Sequence, residues 1–109
     1  MEKNLKLSLT KEPFINILSG KKDFEFRCAG YWIESRLFDK EGNLRTYDYI
    51  EFTNGYGKDR PWLKCEFKGV QTMQKGDVLK MKGKEIVFDK KEYAIRLGEI
   101  VSKKNIIAL

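Results

Sequence analysis

Three side chains in one short segment have the types and spacing to act on an anion. Lys22, Glu25 and Arg27 fall within Gly20-Lys21-Lys22-Asp23-Phe24-Glu25-Phe26-Arg27. Arginine offers a planar fork of donors and lysine a point charge, and both suit phosphate oxygens. Lys21 adds a second lysine at the same turn. A carboxylate accepts a hydrogen bond from an exocyclic amine on a base edge. Together these groups suit a nucleotide. Lys22 and Glu25 could instead serve as base and acid in a hydrolase. The plainest alternative is an ion pair between Glu25 and Arg27 that only solvates a strand.

A second constellation surrounds the loop Asn54-Gly55-Tyr56-Gly57-Lys58-Asp59-Arg60-Pro61. Tyr56, Lys58, Arg60 and Trp62 mix aromatic and basic side chains. Aromatics stack on bases while cations follow phosphates, the combination that holds single strands. Trp62 reads equally as a core residue at a strand end. Tyr31 and Trp32 read first as packing residues. Lys80, Lys82, Lys84, Lys90 and Lys91 crowd a hairpin and its exit. They read as a solvated basic face, or else as a stripe that follows a backbone. Lys103 and Lys104 read as a charged tail edge.

Several chemistries are excluded by composition. The 109 residues contain no histidine, so Ser-His-Asp and Cys-His catalysis are impossible. Cys28 and Cys65 stand alone, without the clustered ligands that a structural zinc needs. They are expected to be free thiols, and no metal or cofactor is expected. The balance of 22 basic to 16 acidic residues gives a net charge of +6, which favours a polyanionic partner. No apolar run approaches the ~20 residues of a membrane span. No signal-peptide pattern opens the chain, so the expected address is the cytoplasm.

The elements that must position these residues follow from periodicity. Residues 4–9 alternate, with Leu5, Leu7 and Leu9 on one face, as a half-buried strand does. Thr10 then offers a capping hydroxyl, and Pro13 falls in the first turn of a helix. Phe14, Ile17 and Leu18 make its apolar stripe, and Gly20 ends it. Residues 22–27 alternate again. Phe24 and Phe26 are expected to face the core, which sends Glu25 and Arg27 to the opposite, solvent face. Lys22 joins them only from the turn after Gly20. The cluster then lies at a barrel mouth, near a helix end.

Residues 28–43 resist assignment, apart from an exposed turn at 39–43. Residues 47–53 and 62–70 read as strands, 78–88 as a hairpin around Lys82-Gly83-Lys84, and 93–101 as the last strand. Gly69 and Gly98 each stand where the inward parity switches, the signature of a bulge. Short strands with two bulges describe a sheet that curls on itself. The expected fold is α+β: a single domain over residues 1–109, a small β-barrel of about five to seven strands with one short N-terminal helix.

The segment Gly20-Lys21-Lys22-Asp23-Phe24-Glu25-Phe26-Arg27 also resembles the GxKxxExR signature of the ASCH domain, a relative of the PUA RNA-binding domain. Leu7-Ser8-Leu9 followed by Pro13 to Gly20 looks like that family's first strand and helix. Tyr49-Ile50-Glu51-Phe52 resembles its middle strand. Tyr93-Ala94-Ile95-Arg96-Leu97-Gly98-Glu99-Ile100 is similar to its closing strand. The resemblance implies a PUA-like barrel with a cleft into which Lys22, Glu25 and Arg27 point. It implies RNA or a nucleotide-like ligand as partner. Some relatives resemble amidohydrolases that act on acetylated cytidine, and others are linked to RNA cleavage. The amidohydrolase-like members carry a nucleophilic threonine where this chain has Glu25, while Lys22 and Arg27 match.

The leading expectation is therefore a module that binds RNA or a modified nucleotide. One rival is a small nuclease-like or amidohydrolase-like enzyme. Another is an interaction protein, which would expose a contiguous apolar patch instead of a basic groove.

Overall fold

The alternating leucines build β1 (Asn4–Leu9), whose even-numbered residues face outward. A computed structural model describes residues 1–109, apart from the side chain of Ala108. The order continues α1 (Lys11–Leu18), β2 (Phe24–Cys28), α2 (Tyr31–Leu37), β3 (Tyr49–Asn54), β4 (Trp62–Met73), β5 (Val78–Met81), β6 (Lys84–Val87) and β7 (Glu92–Lys104). The fold is α+β, with seven strands and two helices.

Five strands form one strongly curled sheet in the order β1-β3-β4-β7-β2. β1 runs parallel to β3, so α1, β2 and α2 all lie within the crossover between them. The other neighbours are antiparallel. β1 and β2 are the two edges of this half-barrel. The Arg27 guanidinium bridges them, its Nη2 donating to the Ser8 carbonyl at 2.8 Å.

Glycine-linked bulges bend the long β4–β7 pair. The register slips between Cys65 and Phe67 and again between Phe67 and Val70. Gly69 takes φ +111°, which a side chain would oppose. Gly98 is needed for space. A Cβ there would sit 2.7 Å from Glu66 Cβ and 2.7 Å from Lys68 Cε. The hairpin β5–β6 turns on Lys82 and Gly83, both at positive φ. These features follow the expectation from sequence.

The core is double. Leu5, Leu7, Ile50, Phe52, Leu63, Cys65 and Ile95 fill the concave side, sealed by Phe14 and Ile17 of α1 and by Ile33 and Leu37 of α2. A smaller cluster of Phe24, Met73, Phe88 and Ala94 lies on the other face of the sheet. Phe26, Leu79, Met81 and Ile86 cover it, so the β5–β6 hairpin acts as its lid.

Four expectations need correction. A second helix, α2, occupies the segment that resisted assignment. Its apolar contribution is only Ile33 and Leu37, one turn apart, while Tyr31 and Trp32 point to solvent. They are not packing residues. Thr10 stands at the N-cap of α1 but its hydroxyl makes no capping bond. Lys103 and Lys104 belong to β7 rather than to a tail. No helix is long and apolar enough to cross a membrane.

Candidate functional site

β2 pairs with β7 so that Glu25 opposes Ile95 and Arg27 opposes Tyr93. Directly opposed residues share a face, and Ile95 and Tyr93 belong to the main core. Glu25 and Arg27 therefore lie on the main core's side of the sheet. The expectation of a solvent face for them is wrong. Phe24 and Phe26 do face a core, but it is the smaller one under the hairpin. Two cores on opposite faces of one strand leave no polar face to find.

Glu25 is 4% exposed, the only charged residue so deeply buried among the described residues. Two cations compensate it. Arg27 Nε donates to Oε2 at 2.7 Å, and Lys22 Nζ stands 3.4 Å from Oε1. Lys22 reaches in from the turn after Gly20, as its parity requires. That turn exists because Gly20 takes φ +79° and the Lys22 amide bonds back to Asn16. Lys22 also lies 5.2 Å from the Phe26 ring centroid.

The three motif residues do not open onto one space. Arg27 lines an open cleft of about 520 Å³, together with Trp32, Tyr56, Arg60 and Trp62. Lys22 borders a separate hollow with Gly20, Asp23 and Lys68. Glu25 lies between them and lines neither. The expected convergence of Lys22, Glu25 and Arg27 in one pocket is replaced by a relay. Lys22 pairs with Glu25, Glu25 holds Arg27, and Arg27 meets the cleft. Lys21 and Lys58 are exposed and line no part of the cleft.

The cleft's other wall comes from the β3–β4 connection. The Asn54 amide bonds to the Pro61 carbonyl at 2.9 Å and closes the loop. Gly55, Gly57 and Asp59 all take positive φ within it. Tyr56 is 89% exposed, so its ring is free to meet a ligand. Arg60 Nη1 donates only to the Gly57 carbonyl, at 2.8 Å. Trp62 is not a core residue. It sits on the outer face opposite Thr53 and Lys104, with its indole N–H donating to Glu51 Oε1 at 2.9 Å. Lys104 Nζ lies 5.1 Å from its ring centroid.

Sequence reasoning missed the polar lining residues Lys6, Ser8, Glu51 and Thr53. Their signal was present. They are the outward members of two alternating strands, set opposite one another in register. Trp32, expected to pack, lines the cleft instead and is 50% exposed.

Cys65 is buried and Cys28 exposed, both free. Burial pushes the Cys65 thiol up to about 11. Tyr93 is pushed up to about 12, first by burial and then by its 2.6 Å hydrogen bond to Glu34. Among the described residues, no group of three acidic, cysteine or histidine side chains could hold a metal ion.

The cleft is concave, rimmed by aromatic rings and cationic on balance. It offers stacking surfaces beside anion-binding donors. No family model, no curated protein and no solved structure matches this chain. Fold and site thus define it as an α+β half-barrel with an aromatic, cationic cleft at the side of its sheet.

Proposed function

We propose that this protein binds RNA or a modified nucleotide in the cleft between β1, α2 and the loop at residues 54–61. The observation that carries the reading is the company kept by Arg27. Both tryptophans of the chain, together with Tyr56, Arg60 and Lys6, line the same space. Stacking rings beside guanidinium groups suit unpaired bases and their phosphates. The net charge of +6 supports a polyanionic partner. The resemblance of residues 20–27 to the ASCH signature points the same way, and with it a PUA-like barrel and a cytoplasmic, RNA-handling role.

A binder is favoured over a hydrolase by the state of Glu25. Both its oxygens are engaged by cations, and it does not reach the cleft. It positions Arg27 rather than facing a ligand.

Both tryptophans report on the cleft, so intrinsic fluorescence is a direct readout. Titration with single-stranded RNA should change the emission. The affinity should fall by roughly two decades between about 50 and 200 mM salt if several phosphates are contacted. Unchanged emission at low salt, with no binding by an independent method, removes the reading.

A further inference from the structure

We propose that the cleft continues as a track for an unpaired strand across the outer face of β1, β3 and β4. Trp62 is its stacking platform and Glu51 the carboxylate that reads amino groups on the bases. The inference rests on the binding reading above and deepens it.

Two hollows adjoin the cleft and share its walls. Lys6, Glu51 and Trp62 line both the cleft and a second hollow of about 630 Å³ that runs toward Lys64. Glu51 and Trp62 also border a third, of about 350 Å³, that runs toward Lys104. Glu51 and Trp62 thus stand at the junction of all three. Along β1 the lining runs from Ser8 at the cleft to Asn4 at the far end, ~13 Å of extended chain. A mononucleotide in the cleft would leave the hollow toward Lys64 empty.

The chemistry of the track is that of single-strand sites. Lys6, Arg60, Lys64 and Lys104 flank the aromatic floor, Lys64 paired with Glu2 at 2.9 Å. Lys6 is exposed and makes no ion pair among the described residues. Trp62 is held by its bond to Glu51 and by Lys104 over its ring, so its plane is fixed before a base arrives. A fixed ring loses little freedom on stacking.

Glu51 is the carboxylate common to all three hollows. Its Oε1 accepts from Trp62 and its Oε2 from Asn4 Nδ2 at 3.0 Å. Each carboxylate oxygen accepts two bonds, so both retain capacity. An acceptor there favours cytosine, whose N4 amine donates, over uracil, whose O4 does not. Glu25, buried between its two cations, has no such access.

The test compares cytidine monophosphate, oligocytidylate, oligouridylate and an RNA duplex by calorimetry on the intact protein. An octamer of cytidylate should bind roughly tenfold or more tighter than the monophosphate, and tighter than the duplex. Oligocytidylate should outbind oligouridylate, with the difference shrinking in Glu51→Gln. Lys64→Ala should cut the gain with length, and circular dichroism checks that both variants fold. Equal binding of monophosphate and octamer overturns the track and leaves the cleft reading intact. Equal binding of duplex and single strand overturns it as well. Equal binding of the two homopolymers overturns the role of Glu51. No binding of any of these probes overturns both the track and the cleft.

Discussion

Replacing Glu25 by glutamine tests what the buried carboxylate does. The amide keeps one acceptor oxygen but turns an NH2 donor toward the other of the two cations, Lys22 and Arg27, that donate there. Glu25→Gln should lower stability by about 1–3 kcal/mol. It should also weaken RNA binding, because Arg27 loses its anchor. A thermal melt beside a binding titration separates the two effects, and a melt identical to wild type would mean the pair is merely solvated. Arg60→Ala provides the contrast. Its guanidinium is exposed and holds only a loop carbonyl, so the melt should stay within about 0.5 kcal/mol of wild type. Binding should drop by about tenfold, some 1.4 kcal/mol. Arg60→Ala that binds as wild type would remove that side of the cleft. At this scale the sequence made residue types and spacing legible, including the reach of Lys22 from its turn. It did not make the face legible. Phe24 and Phe26 announce a core, but nothing in their alternation says which of two cores they enter.

Gly98 shows how an element can be fixed by one absent atom. Its neighbours Glu66 and Lys68 project from β4 into the space a methyl group would fill. One of the clashing atoms, Glu66 Cβ, lies at the base of its side chain and cannot swing away. Gly98→Ala should therefore cost about 1–3 kcal/mol, read as a lowered denaturation midpoint. A midpoint equal to wild type would mean that the β4–β7 bulge relaxes freely. The strands and both glycine switches were legible because parity is a strong signal wherever one face is buried. α2 was not. Ile33 and Leu37 give it one apolar contact per turn, and Gly30 before it supplies no capping side chain. Tertiary packing of those two residues holds a helix that local propensity does not announce. The curl was legible from the bulges. The latch across its seam, Arg27 on the Ser8 carbonyl, was not, because it joins edges that sequence order keeps apart.

At the scale of the whole molecule, the two buried protons of Cys65 and Tyr93 set an alkaline limit. Each group has a higher pKa folded than unfolded, from 9.0 to about 11 for the thiol and from 10.0 to about 12 for the phenol. The unfolded chain therefore releases these protons first as pH rises. Their contribution is fully present below about pH 9 and is lost progressively up to about pH 12. The melting temperature should fall across that window, and the fall should begin later in Cys65→Ala. An onset unchanged in that variant would assign the limit elsewhere. Within the stable range the molecule presents two cation-bearing surfaces, the cleft and the lysine-bearing hairpin. Those two surfaces make competing claims on a polyanion. The most direct measurement is a two-dimensional amide spectrum recorded while single-stranded RNA is added at low salt. Each tryptophan contributes its own indole N–H signal, and both rings line the cleft. Binding in the cleft should shift both indole signals, with the amides of residues 54–60, of Trp62 and of Arg27 moving alongside them. Shifts confined to residues 78–91, or no shifts at all, would contradict it.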